Sequence, residues 1–529
     1  MMSSQPQPTN TNAAAAGNGQ GSLRVTPQVI LSRAPVGGAV FGQVNIATPL
    51  QIRAAMEDAR NGQRAWEGLG LPRRLLFMQA VRDALYRQRE RVLSTLVGEL
   101  GKVYAEAQLE YLATIELLSY FMQVAERVLA PRPKTFRLVP YHQYVVKRQP
   151  YGVALVIAPW NYPLFLSMSP ILAALIGGNS VIYKPSEYAT QVGEVIASMI
   201  AEAGIPPEVF QIVHGYGDVG AALIDAQPDL ICFTGSVATG KKVAHAAAEH
   251  LIPVTLELGG NDAAIVLDDA AIDFSADGIA WSGMFNAGQT CASVERVIAL
   301  EAVHDRFVAS LQRAVERYLG TPDGSPSPSL AALTMPGQRE TVQGHIDDAL
   351  AQGATLVMGG GPLPRYPDFF APTLLTGVTP QMRIAQEETF GPVIAVMQAR
   401  DEDEAIRLAN STDYGLAASV WTRSPARGRR VANRIQAGNV SLNEHLLISG
   451  VPVVPWGGIK ASGYGRTSST EGLLEVTYAK SMMVDGRRLP RALELFWYPY
   501  TPLKRGLITR LIHALYGPTW RDRLRAFLP

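Results

Sequence analysis

The chain has 529 residues, 47% of them hydrophobic, and its 47 basic and 46 acidic residues leave a formal charge of +1. That length predicts two to four domains with sizeable cores, and the near-neutral balance gives no electrostatic footing for nucleic acid as a partner. Two cysteines cannot build a disulfide framework, so the reading is of a reduced, cytoplasmic protein.

In chain order, residues 1–24 carry neither the basic nor the apolar stretch of a secretion signal, and read as a disordered tail. From Ile52 to Val128 charged residues alternate with apolar ones at helical spacing, which predicts three amphipathic helices. "FRLVPYHQYVVKRQP" then reads as an extended, partly polar strand or hairpin. No charged residue lies between Arg148 and Lys184, a gap long enough to raise a membrane span. Pro159, Pro163, Pro170 and the Gly177-Gly178 pair divide it instead into strand, turn, helix and strand. "GVALVIAP", "NSVIYKPS", "FQIVHG" and "DLICFTGS" recur about one βα unit apart, which predicts a parallel, doubly wound sheet. Ligands of such sheets bind beyond the carboxyl ends of the strands. A second α/β set, with strands in "RVIALE", "TLVMGGG" and "GPVIAVMQA", runs to about Arg466, and another exposed strand follows in "EVTYAKSMMVDG".

Two glycine turns are candidate anion sites. Gly215, Gly217 and Gly220 form G-x-G-x-x-G, which is equally compatible with a turn that simply packs tightly. Gly235 and Ser236 end one strand and open a helix, where backbone amides favour a phosphate. Of the cysteines, Cys232 lies in an apolar β-branched run and reads as core. Cys291 differs. In "FNAGQTCASVER" it has the surroundings of a tight turn entering a helix, whose start would lower a thiol's pKa. A Cys/His hydrolase is the competing scheme, but the nearest histidine in sequence, His304, reads as an exposed helix residue. No Cys/His/Asp/Glu group has metal-ligand spacing, so no metal is expected.

"APWNYP", "KPSE", "FTGS", "LELGGND", "FNAGQTCAS", "EETFGPV" and "PWGGIKASGYGR" fall in the order found in the aldehyde dehydrogenase superfamily, which the chain resembles over residues 25 to 485. The resemblance implies an α/β fold: a Rossmann-type doubly wound NAD-binding domain (25–134 with 150–258), a catalytic domain (259–466) and a β oligomerisation arm (135–149 with 467–486). It implies Cys291 as nucleophile, Asn161 and the Cys291 N–H as oxyanion donors, and Glu257 as the base that hydrolyses the thioester. The last favours a free carboxylic acid over transfer to coenzyme A. For the cofactor it implies Trp160, Lys184, Glu187, Gly215, Gly235, Ser236, Gly240, Leu258, Glu388 and Phe390. Glu187 should repel a 2′-phosphate, which favours NAD, with NADP possible. Exposed arm edges imply a homodimer or homotetramer.

The sequence departs from the pattern in three places. Ser169 stands near the point where succinate-semialdehyde members carry an arginine, which suits an apolar aldehyde better. Thr467 replaces a glutamate of a proton relay. Residues 487–529 extend beyond the family's end, and Leu507, Ile508, Leu511, Ile512 and Leu515 form one apolar helix face among Lys504, Arg505 and Arg510. That helix packs on the protein or a neighbouring subunit, or else lies on a membrane.

Overall fold

The computed structural model describes residues 28–138, 142–319, 329–485 and 494–527. The tail assigned to 1–24 lies outside the described residues.

The charge-free run resolves into the strand Val153–Ile157, the helix Pro163–Gly177 and the strand Ser180–Lys184. Both strands are covered on both faces, which is why neither alternates in polarity. Pro163 opens the helix where a missing N–H costs nothing, and Gly178 closes it with φ +99. The Asn179 amide then accepts from Gly152 N–H and donates to Ala174 and Val476 carbonyls, which fixes the return into the sheet.

Six strands make this sheet, in the order Gly463–Tyr464, Val254–Glu257, Leu230–Thr234, Val153–Ile157, Ser180–Lys184 and Phe210–Ile212. All neighbours are parallel except the first pair. Chain progression runs one way from Val153–Ile157 through Phe210–Ile212, then returns to its other side with Leu230–Thr234. The order therefore reverses between Val153–Ile157 and Leu230–Thr234, and a crevice opens beyond their carboxyl ends. The turns "APWNY" and "GS" leave the strands at that point.

Seven strands build the second sheet: Thr355–Met358, Thr373–Thr376, Val393–Ala399, Val294–Leu300, Asp262–Val266, Ala417–Trp421 and Asn439–Leu442. A three-stranded antiparallel sheet joins Thr477–Asp485, His142–Pro150 and Arg132–Lys134. Between Arg466 and that sheet runs the short helix Ser469–Glu475, whose Leu473 is buried in the same core as Phe121 of the helix Tyr104–Leu129.

The N-terminal helical region differs from the expectation of three helices. Four are present among the described residues: Pro49–Gly68, Gly70–Arg87, Arg89–Leu100 and Tyr104–Leu129. The chain leaves helical geometry at Gln88, with φ −89 and ψ 11, although no glycine or proline marks the break.

Candidate active site

Cys291 is delivered by a tight turn. Asn286, Ala287 and Gly288 have φ +53, +54 and +69, three successive left-handed residues. Gly288 is obligatory, because a Cβ there would meet the Gly391 carbonyl oxygen at 2.0 Å. For Asn286 and Ala287 the conformation costs roughly 1–2 kcal/mol each, so other groups must hold it. Glu106 accepts the Asn286 N–H at 3.0 Å. The Gln289 amide donates to the carbonyls of Asn286 and Ala332, and its oxygen accepts from Thr334 N–H at 2.8 Å.

No helix follows the cysteine. Residues Val294–Leu300 form a central strand, so the expected helix-start effect on the thiol is absent. Burial instead pushes the Cys291 thiol up, and the charges of Glu257, Asp262 and Glu388 push it further. Cys232 is buried in the strand Leu230–Thr234, with its thiol pushed up to about 11 by burial.

Two cavities meet at Cys291. One, of about 310 Å³, is lined by Leu109, Leu112, Phe165, Leu446, Leu447 and Val451 among others. Tyr162 and Phe285 stack in its wall with ring centres 6.2 Å apart, and Trp281 packs edge-on against Phe285. Among the described residues its charged lining is Glu110 and Glu116, with no cation. Phe165 and Leu166 line it as expected of an entrance, but Ser169 and Met168 do not. Met168 is core, and Ser169 faces a small cavity beside Thr467 and Glu475. Both side chains are buried in the body of the protein.

The second cavity, about 230 Å³, occupies the crevice of the six-stranded sheet. Trp160, Asn161, Gly235, Ser236, Glu257, Leu258, Glu388 and Phe390 line it with Cys291. The Trp160 and Phe390 rings meet edge to face at 5.6 Å. Phe390 is left-handed at φ +52, and Glu295 holds it by accepting the N–H groups of Thr389 and Phe390. Glu388 accepts from Gly260 N–H at 3.0 Å, and can approach because residue 259 is glycine, where a Cβ would lie 2.2 Å from its carboxylate. Ser236 caps the helix Val237–Glu249, accepting from Thr239 N–H, so that helix's N-terminus opens on the crevice.

Four other expected cofactor residues stand elsewhere. Glu187 lines an adjoining cleft with Tyr188 and Tyr216, and Met335 lines both clefts. Lys184 is buried, with its amine pushed down by burial against the charges of Glu187 and Asp218, and donates to the Pro185 carbonyl. Gly215 lets Val219 approach, since a Cβ would lie 2.2 Å from its side chain, and Gly240 likewise admits Leu258. Both glycines thus shape the walls rather than line them. The residues present suit a dinucleotide: a helix N-terminus for a diphosphate, two aromatic walls for a flat ring, and carboxyl groups for ribose hydroxyls.

Glu257 ends its strand buried, and burial pushes its carboxyl up to about 7 against hydrogen bonds from Thr467 and Trp456 and the charge of Arg466. The Thr467 hydroxyl donates to it at 3.2 Å. Asn161 donates through its amide to the Gln289 carbonyl at 3.1 Å, which ties it to the nucleophile's turn.

Composition and spacing gave no sign of the support beneath. Lys102 and Glu110 pair at 2.7 Å with both side chains almost fully buried. Glu110 also accepts the N–H groups of Leu164 and Phe165, and the Lys102 ammonium lies 3.9 Å from the centre of the Tyr162 ring. Glu106, one turn before, is pushed up to about 8 by burial, opposed by Lys102 and the Asn286 N–H. Glu106 and Glu110 were visible only as ordinary charges on an amphipathic helix; their signal was that they stand four apart on its apolar side. Lys102→Met is expected to lower stability by about 3–5 kcal/mol, because a buried carboxylate loses its cation. Denaturant unfolding followed by tryptophan fluorescence measures this, and an unchanged midpoint would show the pair to be dispensable.

Residues 25–482 match the aldehyde dehydrogenase family. A 4,4'-diapolycopene aldehyde oxidase of Methylomonas sp is 37% identical over 494 residues, 92% of this chain and 91% of the relative. A putative succinate-semialdehyde dehydrogenase [NADP(+)] of Mycolicibacterium smegmatis is 36% identical over 84% of this chain and 86% of its own length. Among solved structures, an NAD-dependent aldehyde dehydrogenase from Sinorhizobium meliloti superposes with a TM-score of 0.83 at 33% identity, covering 88% of this chain and 93% of that one. The Mycobacterium tuberculosis aldehyde dehydrogenase complexed with NAD+ gives 0.83 at 33%, covering 88% and 96%.

Proposed function

The chain belongs to the aldehyde dehydrogenase family, and from that premise we propose that it oxidises an apolar aldehyde to the carboxylic acid, with NAD as hydride acceptor and Cys291 as nucleophile. The observation that carries this reading is that Cys291 alone joins the apolar tunnel to the polar crevice, apart from Leu166 in the wall. An aldehyde in the tunnel presents its carbonyl to the sulfur, and a nucleotide in the crevice lies on the other side.

The thiol is protonated at rest, since burial and three neighbouring carboxyl groups disfavour the thiolate. That proton leaves to water in the crevice that Cys291 and Glu257 both line, so Glu257 stays free as the base for the later hydrolysis. The thiolate adds to the carbonyl carbon and the oxygen gains the negative charge. Asn161 has a second amide N–H beyond the one held by Gln289, and with the Cys291 N–H it stabilises this oxyanion. Bound NAD supplies the acceptor for the hydride, which leaves a thioester on Cys291. Glu257, with a carboxyl near neutrality, then removes a proton from water as it attacks the thioester carbon, and the acid departs with the sulfur restored. Glu257 favours this hydrolysis over transfer to coenzyme A.

Glu187 supports NAD over NADP, although the Mycolicibacterium relative is named for NADP(+). That relative's name also favours a second reading, succinate-semialdehyde oxidation. The tunnel disfavours it, because among the described residues no lysine or arginine lines the wall to receive the distal carboxylate. The experiment is a substrate panel followed by NADH absorbance. Decanal and benzaldehyde should exceed succinate semialdehyde in kcat/KM by at least about a hundredfold, since an unpaired carboxylate loses several kcal/mol in apolar surroundings. The reverse order would establish the semialdehyde reading.

The edge strand Thr477–Asp485 leaves Met483 and Val484 exposed and supports a homodimer or homotetramer through the arm. Two free cysteines fit a cytoplasmic setting.

A further inference from the structure

The C-terminal segment has no role in this chemistry. The helices Pro502–Tyr516 and Trp520–Leu524 pack on each other, and Lys504 turns back to donate to the Trp497 carbonyl. Large apolar side chains of this unit remain in solvent: Trp497 at 60% exposure, Tyr498 at 76%, Trp520 at 68% and Phe527 at 80%. On the longer helix Leu503 and Leu507 stand on one flank of the apolar arc, with Ile512 and Tyr516 on the other. Arg505 and Arg510 lie at the two margins of that arc, where their stems can follow the apolar surface while the guanidinium groups reach water.

Charge separates the possible occupants. Residues 494–527 hold six basic side chains (Lys504, Arg505, Arg510, Arg521, Arg523, Arg525) against two acidic ones, Glu494 and Asp522. Glu494 is buried, and Asp522 is engaged by Thr519 and Arg525. The exposed surface is therefore arginine and aromatic with almost no counter-charge. Two copies of it would repel each other, so it is poorly suited to self-association. Tryptophan, tyrosine and arginine are the side chains that settle at the boundary between lipid headgroups and acyl chains. No helix among the described residues is long and apolar enough to cross a membrane.

We propose that residues 494–527 dock the enzyme flat on an anionic lipid bilayer, with the aromatic side chains at headgroup depth and the arginines on lipid phosphates. The inference does not depend on the substrate reading. If both hold, the enzyme sits where apolar aldehydes accumulate.

The full-length protein is mixed with phosphatidylcholine vesicles, with and without phosphatidylglycerol, and sedimented at low and high salt. It should pellet with the phosphatidylglycerol vesicles and be released by salt. Substituting Arg505→Gln with Arg510→Gln should weaken partitioning about thirtyfold, from about 1 kcal/mol per arginine near an anionic surface. The triple change Trp497→Ser, Trp520→Ser, Phe527→Ser should weaken it at least about tenfold through lost apolar burial. Both variants should oxidise a short soluble aldehyde at the wild-type rate, which shows that they are folded and keeps this test separate from the active-site reading. Full-length protein left in the supernatant, or variants that pellet equally, would overturn the proposal. So would a drop in oligomeric mass of the variants by light scattering, since a second copy of the chain would then be the occupant.

Discussion

Cys291→Ala is expected to abolish aldehyde-dependent NADH formation, with kcat falling by about 10⁴–10⁶-fold, the scale on which removal of a covalent nucleophile is felt. Alanine keeps the Cβ and removes only the sulfur, so the left-handed turn and its ties to Glu106 and Gln289 remain intact. Circular dichroism and the thermal midpoint should match the wild type, and quenching of protein fluorescence by NAD should persist. Retention of more than a per cent of activity would mean that hydride leaves without a covalent adduct and that Cys291 is not the nucleophile. Because the resting thiol is protonated, alkylation by iodoacetamide at neutral pH should be slow and should accelerate with rising pH.

Glu257→Gln should divide the reaction in two. Loss of a general base costs about 10²–10⁴-fold in the step it serves. If hydrolysis of the thioester is that step, rapid mixing should show a burst of NADH near one equivalent per site, followed by slow turnover. The unmodified enzyme carries the matching pH signature. The working form of Glu257 is the carboxylate, and its carboxyl is held at about 7. Steady-state turnover should therefore rise as pH passes upward through about 7 and level off above it. Below that value the protonated carboxyl cannot accept the proton from water, and turnover should fall about tenfold per pH unit. The glutamine variant should lack this limb. A variant with normal turnover would remove Glu257 from the chemistry.

The sheet framework was legible because strands buried on both faces need continuous apolar runs, and glycine and proline punctuate them. The crevice was legible for the same reason: "APWNY" and "FTGS" end neighbouring strands at the point where strand order reverses. The segment after Cys291 was not. In "SVER" the glutamate and arginine read as a charged helix start, although "RVIALE" already reads as a strand. Yet Glu295 and Arg296 are buried in a central strand. Glu295 receives the N–H groups of Thr389 and Phe390, and Arg296 donates to the carbonyls of Asn261, Leu408 and Ala409. Charges used as internal fasteners for backbone look identical in sequence to charges facing water. The same ambiguity concealed Lys102, Glu106 and Glu110, which support the site from a helix and the link before it, far earlier in the chain.

The junction at Cys291 also governs traffic. On the proposed reading the hydrocarbon tail fills one cavity and the nucleotide the other, so neither ligand occupies the other's space. A finished acid can back out of its channel while reduced cofactor is still seated, or the cofactor can exchange while an acyl group waits on the sulfur. The order of departure is then set by relative rates of release, not by which molecule blocks the door.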